Sequence, residues 1–438
     1  MTAVEQAADA TLDAIGRLED GRFHQAEVFA KSGRSRRVEW ELGRWHTLYS
    51  QEQGWAARAG DRRGSFFFAA QGLPNPDAAF PTADGPALEL PAPLAAPPWQ
   101  EPADLLNPLA GERDSLAMLE KLNTRLTREL PGARLLRAAV EDGASESSVL
   151  SSRGMQERWR QRLASLYVEA VGPRRSERVV RLYLAQREVR RFSPDAIARR
   201  LADLLLIHDR GEGKDRDRGE MLLAPAVGAK LLTALSPLFV GPQARERSEA
   251  FVDARGHLAA PQFVLRDNGR LPGGTLEAPF DGEGVPTRDL VIVENGALRQ
   301  TLLPWNRLES PNQRPSGCCL RPGWRELPRL GPTHLYLQPS DTPVAELLGG
   351  ISRGYYLLES DGPVSMDYQA GRFELPVLGF AMHSGNASAP ISKVRLCGRI
   401  TSLLRNLQAA GRDLTFFPGR GMIGSPTLLI SGLELRGD

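Results

Sequence analysis

The stretch GGTLEAPFDGEGVPTRDLVIVENGALRQTLL, Gly273 to Leu303, decides the reading of this chain. It opens into a Gly/Pro-dense loop, Asp281-Gly-Glu-Gly-Val-Pro-Thr287, runs through the apolar Leu290 to Val293, and turns at Asn295-Gly296 into a second apolar run. Asn-Gly between two strand-like runs is the strongest short hairpin signal, because a type I′ turn needs φ > 0 at both central residues. Leu290 to Val293 lacks alternation, which predicts a strand covered on both faces. The loop before it has a fixed shape. Pro286 restricts φ, and Gly282 and Gly284 open backbone conformations closed to other residues.

Upstream, Val4 to Leu18 carries Ala8, Leu12 and Ile15 at helical spacing. Ala26 to Ala30, Arg37 to Leu42 and Ser65 to Ala70 read as strands. Gly72 to Pro108 turns to Pro and Ala with little periodicity, predicting a long surface connection. The helical period returns over Leu116 to Leu130 through Leu119, Leu122 and Leu126. Strand-like segments follow at Arg134 to Glu141, Ser147 to Ser151, Gln161 to Val171 and Arg178 to Gln186. Ser193 is placed to cap the next helix, Pro194 suits its first position, and Ile197, Leu201, Leu204 and Leu205 form its apolar face.

Gly211 to Gly219, a run of charge and glycine, predicts an unpacked linker and a domain boundary. Beyond it the chain reads as strands with three short helices. These are Pro225 to about Leu235, Pro343 to Leu348 capped by Thr342, and Thr401 to Ala410 stopped by Gly411. The expected fold class is α+β: an N-terminal α+β domain over 1–212 and a β-rich C-terminal domain with a few short helices over 220–438.

The composition is that of a globular chain, with 438 residues, 41% hydrophobic and 25% charged. A net charge of +2 provides no excess to drive binding to nucleic acid or an anionic membrane. No run approaches the ~20 apolar residues of a membrane span, and no basic segment precedes an apolar one at the N-terminus. Three cysteines make no disulfide framework, so the expected compartment is the cytoplasm.

Loop and hairpin together resemble the TldD/TldE family, also called TldD/PmbA, in which a D-x-E-G-x-P-T loop leads into such a hairpin. The likeness continues through Gly331-Pro-Thr-His-Leu-Tyr-Leu337, Asp341-Thr-Pro-Val-Ala-Glu-Leu-Leu348, Arg353-Gly354 with Tyr355 to Leu358, Gly371-Arg-Phe373 and Gly379-Phe380. It closes at Ser425-Pro-Thr-Leu-Leu-Ile-Ser-Gly-Leu433. It covers Met221 to the C-terminus.

In the catalytic TldD branch a helix carries H-E-x-x-x-H, two imidazoles to hold zinc and a carboxylate to work on bound water. The matching segment here is Leu222-Leu-Ala-Pro-Ala-Val-Gly-Ala229. Ala224 and Ala229 stand at the histidine positions and Pro225 at the glutamate. That branch also uses a cysteine near the C-terminus, where this chain has Gly419 to Gly424 and no cysteine after Cys397. The resemblance therefore implies the TldE side: no catalytic residue, no metal and no cofactor in this chain, with zinc in a TldD-like partner.

It further implies a heterodimer with that partner, or a self-dimer when alone, and an extended peptide as substrate. The peptide-cleft candidates are His334, Tyr336, Arg353, Gly354, Gly379 and Phe380. Asp281, Gly282, Gly284, Pro286 and Thr287 form the structural loop. Two other readings stay open. One is an independent regulatory protein of the modulator of DNA gyrase type. The other is a hydrolase assembling distant ligands such as His257, His334, His383 and Cys397. Gly419-x-Gly421-x-x-Gly424 matches a dinucleotide fingerprint only in form, because a strand-like run follows it instead of a helix. Cys318-Cys319 has no local partner for metal binding.

Overall fold

The computed structural model describes residues 3–17, 23–41, 43–174, 178–308 and 313–437. The ends of the first helix and of the second strand-like run, Leu18 and Leu42, lie outside them. The N-terminal half is a six-stranded antiparallel sheet in the order β3-β2-β1-β4-β5-β6. Its strands are β1 (Gln25–Glu41), β2 (Arg44–Gly60), β3 (Ser65–Gln71), β4 (Arg134–Ser151), β5 (Gln156–Val171) and β6 (Val179–Gln186). Helices α1 (Ala3–Arg17), α2 (Glu112–Glu129) and α3 (Pro194–Arg210) cover one face. Leu119, Leu122 and Leu126 of α2 meet Leu201 and Leu205 of α3 over Val140, Leu166 and Val168. Ser193 Oγ accepts the Ala196 N–H, capping α3.

Two expectations are corrected in this half. β1 and β4 are each a single long strand, where the apolar runs predicted two pieces. The whole of β2 escaped the pattern. Residues 44–52 of β2 are almost all exposed, with Trp45, Leu48 and Tyr49 scattered among polar residues without alternation, yet they pair continuously with β1.

The C-terminal half holds two further sheets. The first runs β11 (Ala297–Leu298), β10 (Asp289–Glu294), β9 (Leu265–Asn268), β14 (His334–Leu337), β21 (Gly421–Ser425), β20 (Thr415–Gly419). The second is wider. Its order is β19 (Leu407–Ala410), β22 (Leu428–Ile430), β8 (Glu220–Leu223), β15 (Arg353–Ser360), β17 (Arg372–His383), β18 (Asn386–Arg399), β23 (Glu434–Gly437), β7 (Asp217–Arg218). A short strand β16 (Ser365–Asp367) lies on β17, and β12 (Cys319–Leu320) pairs with β13 (Arg329–Leu330). Four short helices join them: α4 (Pro225–Leu235), α5 (Ala244–Glu249), α6 (Val344–Gly349) and α7 (Ile400–Arg405). One apolar core links both sheets with α4. The molecule is thus α+β with a β-rich C-terminal region.

Asn295 and Gly296 have φ of 50° and 74°, and β10 pairs with β11 across them. Leu290, Ile292 and Val293 are buried and Val291 is half-buried. Three expectations fail here. Gly211 to Gly219 is largely exposed but tied down: Glu212 bridges Ile391, β7 pairs with β23, and Arg216 and Arg218 both reach Glu434. Its charges meet fixed opposite charges on the sheet, a pairing that composition does not reveal. Thr342 caps nothing, since α6 starts after Pro343 with no side-chain cap. The predicted helix Thr401 to Ala410 ends at Arg405, because Leu407 to Ala410 add to the sheet as a strand beside β22.

Candidate functional site

The loop 281–287 is where the two halves lock together. Asp281 is fully enclosed and serves as its hub. One carboxylate oxygen accepts the N–H groups of Glu283 and Val285, at 2.9 and 3.0 Å, and the other accepts that of Cys319 at 2.9 Å. Burial and the neighbouring Glu283 raise the Asp281 carboxyl to about 8. The Gly284 φ of 78° needs glycine, and a Cβ there would strike Met155 and Val149 of the N-terminal sheet. Thr287 Oγ1 donates to the Ala278 carbonyl, closing the loop from below.

Glu283 carries the loop across to the N-terminal sheet. Arg58 of β2 bonds Glu283 at 2.9 Å and grips Glu27 of β1 through two nitrogens at 3.0 and 2.8 Å. Arg321 adds a 2.8 Å bond to Glu27 and stacks over Phe29, 4.1 Å from the ring centroid. All four ionised side chains are buried. Two carboxylates against two guanidinium groups leave the cluster neutral, which makes its burial tolerable. Burial alone would raise the Glu27 carboxyl, but Arg58 and Arg321 hold it below the usual range. Around the cluster, Phe29, Val149, Met155 and Trp159 pack against Ala278 and Trp324, an apolar contact built from both halves.

Beside this lock lies a cavity of about 560 Å³. One wall is the helix-free face of the N-terminal sheet, where Gly33, Ser35, Gly143 and Ser145 leave a low floor flanked by Lys31 and Arg34. Leu276, Phe280, Arg321, Gly419 and Met422 form the opposite wall. Its lining is mixed in polarity.

The other sequence-singled residues divide sharply. His334 is buried against this region but does not line the cavity. Its Nδ1 donates to the Asn268 carbonyl at 2.9 Å while Nε2 accepts the Leu276 N–H at 3.3 Å, so the ring is neutral with both nitrogens in use. Burial lowers it to about 4. The ring is therefore a brace between β14 and the 273–277 turn. Tyr336, two residues on, packs edge-on against Phe416. Arg353, Gly354, Gly379 and Phe380 are elsewhere, on β15 and β17 of the wide sheet, and none lines the cavity. Arg353 pairs with Asp217 at 3.3 Å, and Gly354 permits close approach to Glu220.

The fold brings together the two segments at which the resemblance places a metal site in the TldD branch. α4 packs on β21, and Gly228 leaves so little room that a Cβ would lie 2.2 Å from Ser425 Oγ. The residues there do not fit zinc. Ala224 precedes α4, Pro225 occupies its first turn and Ala229 is buried, none with a donor atom, and residues 419–424 form a β-hairpin without His, Cys, Asp or Glu. Among the described residues no three His, Cys, Asp or Glu side chains are placed to hold a metal, so His257, His334, His383 and Cys397 do not gather. Cys318 and Cys319 are buried free thiols, pushed well above the ordinary range by burial and by nearby carboxylates. They brace the loop instead: the Cys319 carbonyl accepts the Gly282 N–H.

Residues 216–437 match the model of the PmbA/TldA metallopeptidase C-terminal domain. The chain belongs to the PmbA/TldD family. A zinc metalloprotease TldD homolog of Saccharolobus solfataricus is 24% identical to this family member over 140 residues, 32% of this chain and 31% of that protein. The chain therefore spans about a third of that relative's length. TldE from Thermococcus kodakarensis superposes with a TM-score of 0.80 at 17% identity, covering 98% of this chain and 100% of the other. A putative modulator of a DNA gyrase from Thermotoga maritima gives 0.78 at 16% identity, over 98% and 99%. These likenesses extend the PmbA/TldD fold over the N-terminal half as well. No helix among the described residues is long and apolar enough to cross a membrane.

Proposed function

We propose that this chain is the non-catalytic, TldE-like subunit of a cytoplasmic zinc peptidase acting on unfolded peptides or peptide precursors. The observation that carries the reading is the chemistry of α4 and its surroundings. In the position of a zinc-binding motif the chain presents Ala224, Pro225 and Ala229, and the adjoining 419–424 hairpin supplies no replacement ligand. The cavity between the halves gives the chain something to contribute, one wall of a channel for an extended peptide. Backbone bonding of such a peptide demands little of its sequence. A TldD-like partner supplies the zinc and the base. Alone, the chain pairs with itself.

Co-expression with a TldD-like protein tests this. A disordered fluorogenic peptide is offered to each chain and to the pair. Cleavage by the pair, abolished by a chelator and absent with this chain alone, is expected. Chelator-sensitive cleavage by this chain alone defeats the proposal. The likeness to a protein described as a gyrase modulator favours one other reading, an independent binding protein. It predicts capture of another cellular protein and no effect on any TldD-like enzyme.

A further inference from the structure

A second cavity, of about 420 Å³, opens on the wide C-terminal sheet, away from the loop and from α4. Five arginines line it: Arg216, Arg218, Arg372, Arg399 and Arg436. Only Glu374 and Glu434 oppose them, a surplus of three positive charges in one concavity on a chain whose net charge is +2. A concave wall of one sign focuses potential and raises the local concentration of counter-ions.

The pairing inside it is uneven. Glu434 is shared by Arg216, at 2.8 Å, by Arg218, at 3.3 Å, and by Arg436. Glu374 is 4.0 Å from Arg436 and 3.8 Å from Arg395. Arg372 and Arg399 have no carboxylate partner among the described residues, and they are direct cross-strand neighbours on β17 and β18. Like charges opposite one another in an antiparallel pair destabilise it. An anion bridging them reverses that sign. Arg216, Arg218 and Arg436 remain substantially exposed, with side-chain accessibilities of 61%, 74% and 47%, so guanidinium faces are free for an incoming ligand. Guanidinium forks match the oxygens of phosphate two at a time, which a lone ammonium does not.

We infer that this arginine-lined cavity is a binding site for a small oxyanion carrying two or more charges, a free phosphate or the phosphoryl group of an ester. Arg372 and Arg399 hold it between them, and the Arg216, Arg218 and Arg436 group supplies the flanking charge. The site is independent of the peptidase reading, since none of its lining residues belongs to the loop, to α4 or to the lining of the larger cavity.

Calorimetric titration of the full chain with inorganic phosphate, pyrophosphate and adenosine monophosphate, in chloride buffer of matched ionic strength, tests the assignment. Saturable binding of phosphate is expected, tightening with pyrophosphate. Arg372→Ala with Arg399→Ala should weaken it by roughly tenfold to a hundredfold, the loss of charge-assisted hydrogen bonds. Arg329→Ala, remote from the cavity, should leave it unchanged. Monophosphate binding as tight as free phosphate assigns the phosphoryl group alone. Tighter binding of the ester assigns a nucleotide-like ligand. Heats no larger than those of chloride, or binding that survives the double substitution, overturn the proposal. Arg372→Gln with Arg399→Gln, which keeps the side-chain length, serves if the alanine variant does not fold.

Discussion

Asp267 shows how a single buried carboxyl makes this protein sensitive to pH. Its oxygens accept the backbone N–H and the hydroxyl of Thr333, at 2.9 and 3.0 Å, and burial raises it to about 7. Asp281 is raised further, to about 8. A carboxyl whose folded value exceeds its unfolded one keeps protons that the unfolded chain has already released. Its contribution to stability is full at low pH and is lost as pH rises through the folded value. His334 runs the other way, but its unfolded imidazole is already half neutral at about pH 6.5 and loses the rest of its charge above, so the two aspartates dominate from pH 6.5 to 8. The melting temperature should therefore fall across that window. Asp267→Asn keeps an acceptor for the Thr333 N–H and a donor for its hydroxyl. It should fold and show a shallower fall between pH 6.5 and 8; an unchanged slope would show that Asp267 is not the proton site. Neither aspartate's role was readable residue by residue: Asp281 was placed in a rigid loop by its Gly and Pro neighbours, but Asp267 gave no signal at all.

At the scale of elements, legibility followed local chemistry. The Asn295-Gly296 hairpin and α3 were visible because their turn and cap residues act on their own neighbours. The start of α4 was placed by Pro225, and its end approximately. β2 was missed because its outer half is exposed and its apolar residues do not alternate, and the 401–410 helix was overextended because only β22 reveals that Leu407 to Ala410 are a strand. The close contact of α4 on β21 makes its own prediction. Gly228→Ala should cost roughly 1–3 kcal/mol through overpacking against Ser425. Ser425→Gly in the same chain should recover part of that loss, measured by denaturant unfolding. If the two substitutions simply add, the close approach is not what limits position 228.

Across the whole molecule, the decisive feature is the buried Glu27–Arg58–Glu283 and Arg321 cluster that ties the two halves. Arg58→Met removes the central cation, leaving buried Glu283 without its guanidinium partner and Glu27 with Arg321 alone. The expected cost is roughly 3–5 kcal/mol, the penalty for breaking a buried ion pair from one side. Hydrogen exchange should rise first in residues 281–287 and in the facing part of β1. Protection unchanged there, with stability lost elsewhere, would mean that the loop is held by its apolar contacts alone. Because the cavity shares Arg321 with this cluster, the same variant should also change peptide turnover by the assembled peptidase, if the proposed function holds.

By itself the sequence determined the local pieces: the turn chemistry of the hairpin, the caps of α3, the start of α4, and the lack of any donor atom at Ala224, Pro225 and Ala229. Each depends on residue type and near neighbours alone. Only the tertiary structure decided which charges are partners. Glu27 and Arg321 stand 294 positions apart and Arg58 and Glu283 stand 225 apart. The same holds for Arg372 facing Arg399, and for the charged run 211–219, which is pinned to the sheet by ion pairs and a short strand. The physical reason is that an ion pair depends on distance in space, and a charged residue reads alike in sequence whether it meets water, a partner or a like charge.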